Sequence, residues 1–411
     1  MLAAAASTAR ATDTLAVAPC PCCGGGSALV LYRAASIPIH SSVLLDSAED
    51  ARALPRRDLQ LAFCSDCGFL YNDIFDEAAI AYSGDFEESQ HFSRTFSTFA
   101  RRLVADIDAK CQLAGKRVLE IGCGKGDFLV ELCAHTGATG VGIDPGYRRD
   151  AHREPTANVS FIADYCGPKY ADIAADVVIC RHTLEHIPHA DGFLHMVRAA
   201  IGDRPDVWVV FETPDAERVM REGAFWDIYY EHCSYFSAGT HARAFRRAGF
   251  EVTDISLVYD GQYLLQYARP ARHTQTKLPG ENDLPRLRAL AEDFPGKLRA
   301  AQNYWVQRIR QAAAEGKSVA LWGGGSKAVA FLTALNFPDD VVAVVDVNTR
   351  KQGKFVPGTG HEVIAPAELD RIRPDIVLLM NRIYRAEVAK DLERLGLEPE
   401  VLALGASGAW A

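Results

Sequence analysis

The stretch KRVLEIGCGKGDFLVEL, residues 116–132, joins a short apolar segment to three closely spaced glycines and the start of a helical pattern. The apolar residues 118–121 predict a buried strand. Gly122, Gly124 and Gly126 follow with the spacing G-x-G-x-G, which differs from the G-x-G-x-x-G of a dinucleotide fold. Glycines at the carboxyl end of a first strand let the backbone approach a ligand closely. The stretch therefore predicts a strand, a ligand-binding loop and a helix.

Acidic residues end the next two predicted strands. Asp144 closes ATGVGID, where it is placed to accept hydrogen bonds from ribose hydroxyls, and Asp164 closes VSFIADY, where it could bind an adenine amino group. Two more buried strands, in ADVVICRHTLEHIP and DVWVVFETPD, also have polar ends. The candidate cofactor-binding residues are Glu120, Gly122, Gly124, Gly126, Asp144, Asp164 and Arg181.

The block finishes with an amphipathic helix, THARAFRRAGF, and a hairpin formed by EVTDISLVY and GQYLLQYARP. Alternating strands and helices closed by an antiparallel pair predict an α/β fold, a doubly wound sheet with a late reversed strand. This is the plan of the class I S-adenosylmethionine (SAM) methyltransferases. The alternative is another nucleotide-binding Rossmann sheet.

Four cysteines near the start of the chain form two C-x2-C pairs. Cys20 and Cys23 lie in PCPCCGGG, and Cys64 and Cys67 lie in FCSDCGFLYN, each pair followed directly by glycine. Two such turns can aim four sulfurs at one zinc ion, although the gap of forty residues between the pairs exceeds the usual spacing. The pattern predicts a structural zinc site, and the alternative is a set of unpaired buried thiols.

A second glycine loop lies near the carboxyl end, in SVALWGGGSKAVAFLTAL. Gly323, Gly325 and Ala328 give G-x-G-x-x-A, and Asp346 ends the following strand. The motif alone is typical of NAD binding. The alternative, which we favour, is a Rossmann-like domain that has lost cofactor binding or that holds a phosphate with its loop and helix amino terminus.

The length of 411 residues predicts two or three domains. The predicted parts are a disordered tail (1–17), a zinc-binding module (18–75), a methyltransferase domain (76–270), a linker with a docking helix (271–316) and a Rossmann-like domain (317–411).

Charge and composition exclude several other classes. The net charge of -9 disfavours nucleic acid as a partner, and no apolar run reaches the roughly 18 residues of a membrane span. The amino-terminal tail lacks the basic and apolar regions of a signal peptide. Eleven cysteines without such a signal favour a reducing, cytoplasmic location.

The segment FWDIYYEHCSYFS, residues 225–237, contains three tyrosines, a Glu-His pair, a cysteine and a tryptophan. It has neither the period of a clean strand nor an unbroken helical stripe. One interpretation is a partly buried edge segment whose tyrosines pack. The other is an acid/base site, because neighbouring His, Tyr and Glu side chains are suited to proton transfer.

Several motifs together carry a resemblance to a known family: the two cysteine pairs and the segments VLEIGCGKGDF, CRHTLEHIP, IYYEHCSYFS and WGGGSKAVAFL. With these motifs the chain resembles the sugar C-methyltransferases that act on nucleotide-linked deoxysugars, the group that includes the TDP-sugar 3-C-methyltransferases. The resemblance covers essentially the whole chain after the tail. It implies a zinc module, a SAM-dependent methyltransferase domain and a Rossmann-like carboxy-terminal domain. The implied partner is a nucleotide-diphosphate keto-sugar.

The resemblance also implies catalytic roles. His232 corresponds to the general base of a Tyr-x-Glu-His motif whose other members are Tyr229 and Glu231, and His182 corresponds to a histidine beside the sugar. Methylation at carbon requires a carbanion, so a base must remove a proton next to a ketone while donors stabilise the enolate oxygen. The candidate substrate-binding residues are Tyr82, Phe86, Trp226, Ser326 and Lys327.

One segment departs from the family. Related enzymes tend to have a tyrosine-rich segment after the zinc module, whereas here YSGDFEESQHFS has Tyr82 followed by Phe86, Glu87 and Glu88. The change predicts a different sugar or acceptor pattern. Two other activities stay open at this stage: methylation at oxygen or nitrogen, and an NAD-dependent oxidoreductase using the carboxy-terminal block.

Overall fold

A computed structural model describes most of the chain, in the ranges 18–80, 85–149, 155–272, 276–335 and 340–405. The predicted tail 1–17 and the substrate candidate Tyr82 lie outside the described residues. No helix among the described residues is long and apolar enough to cross a membrane.

The amino-terminal module is a small antiparallel sheet. Its elements are β1 (Ala28–Pro38), α1 (Ala48–Ala53), β2 (Arg56–Cys64) and β3 (Leu70–Asn72). The turn between β2 and β3 contains the second cysteine pair. The sheet therefore begins and ends beside the predicted metal ligands.

The central part is a seven-stranded sheet with helices. Its elements are α2 (Arg94–Cys111), β4 (Arg117–Ile121), α3 (Asp127–Thr136), β5 (Thr139–Ile143), β6 (Val159–Ile162), β7 (Val177–Arg181), α4 (Ala190–Ile201), β8 (Trp208–Pro214), α5 (Ala216–Glu222), β9 (Ser234–Tyr235), α6 (Ala238–Arg247), β10 (Phe250–Val258) and β11 (Tyr263–Pro270).

The strand order of the central sheet is β10-β11-β8-β7-β4-β5-β6. Strand β11 is antiparallel to both of its neighbours, and the strands from β8 to β6 are parallel. Strands β4 and β7 are almost continuously buried apolar runs, as expected where helices cover both faces of a parallel sheet. The arrangement confirms the predicted doubly wound sheet with a late reversed strand.

Strand β9 is not part of the central sheet. Tyr235 and Ser234 pair with Leu70 and Tyr71 of β3, so β9 is the fourth strand of the amino-terminal sheet. The segment 225–237 thereby connects the central domain to the cysteine-containing module. Its aromatic residues lie between two parts of the protein rather than at a sheet edge facing solvent.

The carboxy-terminal part is a second α/β unit. Its elements are α7 (Leu284–Ala314), β12 (Val319–Trp322), α8 (Ser326–Leu335), β13 (Val341–Val345), β14 (Val363–Ile364), α9 (Leu369–Ile372), β15 (Ile376–Leu379), α10 (Arg385–Arg394) and β16 (Glu400–Ala403). All five strands are parallel, in the order β14-β13-β12-β15-β16.

A shared hydrophobic core holds the three parts together. Helix α7 contributes Leu287, Phe294 and Trp305 to a cluster that also contains Phe63 of β2 and Phe331 of α8. Helix α7 lies within the region predicted as a linker and docking helix, and residues of α5 in the central part belong to the same cluster, so the core joins all three parts.

Candidate active site

A cavity of about 860 Å³ lies where the carboxyl ends of β4 and β7 face the carboxyl end of β12. Its walls come from all three parts of the chain, with Ser41 and Phe86 on one side, Gly122 and His232 on another, and Ser326 on the third. Ligands of open α/β sheets bind beyond the carboxyl ends of the strands. The cavity is therefore the candidate active site.

The first glycine loop needs its glycines for two reasons. Gly122, Gly124 and Gly126 have φ angles of 71°, 52° and 83°, in the left-handed region that favours glycine. A β-carbon at Gly122 would lie 1.9 Å from the hydroxyl of Thr183, and one at Gly126 would lie 2.4 Å from the ring of Phe161. The loop backbone is thus exposed to the cavity in a conformation that other residues would disturb.

Asp144 holds this loop in place. Its carboxylate accepts hydrogen bonds from the amides of Gly124 (2.9 Å) and Gly146 (2.7 Å). Burial raises the pKa of Asp144. The residue lines the cavity as the sequence predicted, and it also fixes the shape of the glycine loop.

Glu120 and Arg181 lie together beneath the loop. Burial raises the pKa of Glu120 to about 8, with the charge of Arg181 opposing the shift. Oε2 of Glu120 has no hydrogen-bond partner within the described part of the chain. Arg181 donates from Nε to Glu212 (2.6 Å) and lies 4.0 Å from the ring centroid of Phe128. The unpaired, buried oxygen fits a cofactor that brings its own donor groups.

The side chain of Asp164 lies elsewhere than the sequence predicts. Its carboxylate accepts a hydrogen bond from the hydroxyl of Tyr170 (2.5 Å), forms an ion pair with Lys169, and is not part of the cavity wall. The next residue, Tyr165, lines the cavity and is exposed. The aromatic ring at this position is therefore the group available for stacking against a base.

His232 is buried against other rings of the cavity wall. Its ring centroid lies 4.2 Å from that of Tyr229 and 4.7 Å from that of His186, the latter nearly perpendicular. Burial lowers the pKa of His232 well below its ordinary value, and nearby His186, His182 and Lys327 act in the same direction. At neutral pH the imidazole is uncharged, which is the form able to accept a proton.

Tyr229 and His182 supply possible donors beside this base. Burial raises the pKa of Tyr229, so its phenol stays protonated. His182 has a positive φ of 48°, and its imidazole lies 3.5 Å from Glu185 and 3.6 Å from Glu212. Such backbone strain in a residue of a cavity wall accompanies functional sites more often than ordinary turns.

Glu231 lines the same cavity as Tyr229 and His232. Its carboxylate accepts hydrogen bonds from the amide (2.8 Å) and hydroxyl (2.5 Å) of Ser41 and pairs with Nδ1 of His40 (3.1 Å). These two residues follow β1 of the amino-terminal module. The contacts of the Glu231 carboxylate therefore anchor that module, and its role toward His232 stays a prediction.

Three of the substrate candidates line the cavity. Phe86 lies edge-on to His40 with ring centroids 4.8 Å apart, and the hydroxyl oxygens of Ser326 and Ser41 are within hydrogen-bond distance (2.9 Å). Lys327 forms an ion pair with Asp227, so its charge is already balanced by a neighbour.

Trp226 is a correction to the predicted substrate site. It is 1% exposed, packs against Phe225 with ring centroids 5.1 Å apart, and belongs to the core rather than to the cavity wall. The sequence analysis missed Lys351, whose ammonium lines the cavity beside the second glycine loop, 3.5 Å from where a β-carbon of Gly325 would lie. No motif marks this lysine in the sequence.

The four predicted metal ligands come together away from the cavity. The sulfurs of Cys20 and Cys67 are 3.8 Å apart and those of Cys23 and Cys64 are 3.6 Å apart, and all four lie within 4.8 Å of one another. Zn–S bonds of about 2.3 Å in a tetrahedron give sulfur separations of about 3.8 Å. The geometry fits a four-cysteine zinc site. Cys22 lies outside this set and accepts a hydrogen bond from Arg247 (2.9 Å).

Two family descriptions match the chain. Residues 90–255 match a methyltransferase domain, and residues 281–397 match a C-methyltransferase C-terminal domain. The C-methyltransferase NovU of Streptomyces niveus is 25% identical over 385 residues, which span 90% of each chain. This similarity extends across the three parts of the structure.

Other relatives match a smaller share of the chain. The ubiquinone biosynthesis O-methyltransferase of Burkholderia vietnamiensis is 34% identical over 166 residues, 37% of this chain and 69% of that protein. For the enzyme of the same name from Burkholderia ambifaria, 35% identical, the chain spans about half (48%) of its length. The crystal structure of the riboflavin-analogue dimethyltransferase RosA of Streptomyces davawensis aligns at 20% identity over 43% of this chain and 54% of that one, with a TM-score of 0.36.

Proposed function

Because this chain is a SAM-dependent methyltransferase whose matches support the C-methyltransferase family, we propose that it methylates a carbon next to a keto group of a nucleotide-linked sugar. One observation carries the proposal. An uncharged, buried His232 and a protonated Tyr229 share a cavity with the glycine loop of the central domain. A base beside a donor is the combination that enolate formation requires.

The residues of the cavity have distinct tasks in this reaction. His232 takes the proton from the carbon next to the ketone, and Tyr229 and His182 donate hydrogen bonds to the oxygen as it gains charge. When bound, SAM supplies a methyl group on a sulfonium sulfur, which keeps the electron pair of the C–S bond as the new C–C bond forms. The glycine loop and Asp144 would hold the donor beside the acceptor carbon, and proximity of this kind lowers the barrier to transfer.

We assign the diphosphate of the acceptor to the second glycine loop. Gly325 and the amino terminus of α8 face the cavity and offer backbone N–H groups to an anion, whereas the amides of Gly323 and Gly324 already donate to Val345 and Asp346. Lys351 supports this role better than Lys327, because its contact with Asp346 is long (3.9 Å) whereas Lys327 is tightly paired with Asp227. The match of residues 281–397 to a C-methyltransferase domain favours this function over NAD-dependent oxidation.

Methylation at oxygen is the competing activity. The O-methyltransferase of Burkholderia vietnamiensis matches 37% of the chain, whereas NovU matches 90% of it. A carbon acceptor also explains the buried base next to hydrogen-bond donors, since an oxygen acceptor needs a base but no stabilised enolate. We further propose that the four cysteines bind one structural zinc ion, since the cluster lies outside the cavity.

The test is solvent exchange followed by methyl transfer. The enzyme is incubated in D₂O with a panel of nucleotide-linked keto-sugars and no SAM, and deuterium at each carbon is measured by NMR. We expect exchange at one carbon next to the ketone, and a methyl group at that same carbon once SAM is added. Methylation at oxygen without prior exchange would contradict the proposal.

A matched pair of variants assigns the base. His232→Ala should lose about 10²–10⁴-fold in exchange and turnover while SAM affinity stays within twofold. His195→Ala, on the exposed face of α4, is the control and should behave like the wild type. Unchanged exchange in His232→Ala would remove this histidine from the mechanism.

A further inference from the structure

Two adjacent glutamates distinguish the segment that follows the amino-terminal module. Glu87 is 1% exposed and fully engaged: it pairs with Lys125 (3.2 Å) and accepts a hydrogen bond from Asn348 (2.9 Å). Arg350 lies 3.4 Å from the same carboxylate. Glu87 is therefore a structural link between the first glycine loop and the carboxy-terminal domain.

Glu88 faces the cavity and lies directly against the first glycine loop. Its Oε1 is 2.9 Å from the position that a β-carbon of Gly124 would occupy. Lys125 is 3.8 Å from its other oxygen, but that ammonium is nearer to Glu87 and also donates to the carbonyl of Phe86. Lys125 thus interacts with both carboxylates, and it lies closer to the carboxylate of Glu87.

The surroundings of Glu88 are rich in negative charge. The side chain of Glu88 is half exposed, and partial desolvation raises its pKa to about 7, with Asp144 and Glu87 adding to the shift and Lys125 opposing it. Glu120 lies beneath the same loop with an oxygen that has no partner among the described residues. A cation placed over the loop would meet carboxylates from both sides, so the electrostatics favour a positively charged ligand.

The donor of this enzyme is such a ligand, and its product is not. SAM carries a sulfonium charge that disappears when the methyl group leaves and S-adenosylhomocysteine forms. A carboxylate near the sulfonium therefore stabilises the donor more than the product. The charge–charge contact is lost when the sulfur becomes neutral, so it favours both donor binding and product release.

We propose that Glu88 is a donor-selecting residue whose carboxylate pairs with the sulfonium-bearing part of SAM and makes the cavity prefer the donor to its product. This proposal depends on SAM as the donor and not on the identity of the acceptor. It also accounts for a carboxylate in a segment that is tyrosine-rich in the resembling enzymes, since Glu88 faces the donor loop.

The experiment measures the affinity of three nucleosides by calorimetry, without any acceptor. They are SAM, S-adenosylhomocysteine and an analogue that has a protonated amine in place of the sulfonium. In Glu88→Gln, we expect SAM and the amine analogue to bind about tenfold more weakly, about 1.4 kcal/mol, while S-adenosylhomocysteine stays within twofold. Glu88→Asp keeps the charge and should keep the preference for the two cations.

Glu251→Gln is the control, because Glu251 is an exposed carboxylate on β10 of the same domain. It should leave all three affinities unchanged. Equal weakening of all three ligands in Glu88→Gln would overturn the proposal, because it would show contact with a part that donor and product share. Unchanged SAM affinity would overturn it as well. If the enzyme did not exchange substrate protons but kept its preference for SAM over S-adenosylhomocysteine, the result would contradict only the proposed acceptor chemistry.

Discussion

Glu231 offers the sharpest test of the structure against the family motif. The motif suggests that it assists the base, whereas its carboxylate accepts two hydrogen bonds from Ser41 and pairs with His40. The carboxylate is 3% exposed. We predict that Glu231→Ala mainly loosens the attachment of the amino-terminal module.

The magnitude follows from these contacts. Each hydrogen bond to a charged acceptor contributes about 1.5–3 kcal/mol, and contributions that share one acceptor do not add fully. Removing the carboxylate also deprives the buried amide of Ser41 of its acceptor, and an unsatisfied buried donor costs about 1–3 kcal/mol more. We expect a loss of this size in Glu231→Ala and a smaller one of about 1–2 kcal/mol in Ser41→Ala, which removes a single hydroxyl donor.

Local hydrogen exchange is the appropriate assay, because a chain with several domains does not unfold in one step. The amides of Ile39 and Leu44 bond to the carbonyls of Pro55 and Asp85 and flank the contact with Glu231. Their protection should fall by about 10²-fold or more in Glu231→Ala, since about 1.4 kcal/mol corresponds to tenfold.

The exposed Ser256 on β10 provides the matched control, and Ser256→Ala should leave the protection of Ile39 and Leu44 unchanged. One result would refute the reasoning. If Glu231→Ala kept full protection at both amides and lost solvent exchange of the substrate, the residue would act on the base and not on the module.

Three further predictions follow from the site. Cys64→Ser should abolish stoichiometric zinc in the purified protein and lower the yield of folded protein, whereas Cys22→Ser should keep one zinc ion per chain. Metal analysis of the purified proteins is the measurement, and a folded wild-type protein without zinc would contradict the site. Gly126→Ala should weaken SAM binding tenfold or more, because its φ of 83° is strained for alanine and the β-carbon would lie 2.4 Å from a ring carbon of Phe161. Gly192→Ala is the control, because its position is open, and it should leave SAM binding unchanged. The pKa of His232 lies well below 6.5 in the folded protein, so the base stays deprotonated until the pH falls through that lowered value. Turnover that is limited by proton removal should therefore be constant from pH 8 to 6.5. An acidic limb of the pH profile centred above 6.5 would contradict the assignment.

The central fold could be predicted because its signals are local. The apolar runs of β4 and β7, the glycine spacing and the acidic strand end at Asp144 each depend on a few neighbouring residues. The two cysteine pairs are local as well, and each turn is closed by a glycine with positive φ, Gly24 or Gly68. The meeting of the two pairs required only that β1 and β2 form a hairpin.

The direction of single side chains could not be predicted in the same way. Glu231 contacts Ser41, 190 positions away, and Ser326 contacts Ser41, 285 positions away. Nothing near Trp226 distinguishes a core residue from a ligand-binding one, since both uses favour aromatic side chains. These outcomes depend on how the three parts pack, and the sequence patterns describe each part separately.

The segment 225–237 is held by packing on both sides of His232. Phe225 and Trp226 pack in the core, and Ser234 and Tyr235 complete the sheet of the amino-terminal module, as the packing interpretation expects. Between these anchors the chain holds His232 against the cavity wall, where burial lowers the pKa of the imidazole. The acid/base interpretation stays a proposal, and the packed aromatics are the physical basis of the base that it requires, because solvent entering between the parts would return the histidine toward its ordinary pKa. Assembly of all three parts is consequently a requirement of the proposed base, even though the donor loop belongs to the central domain alone.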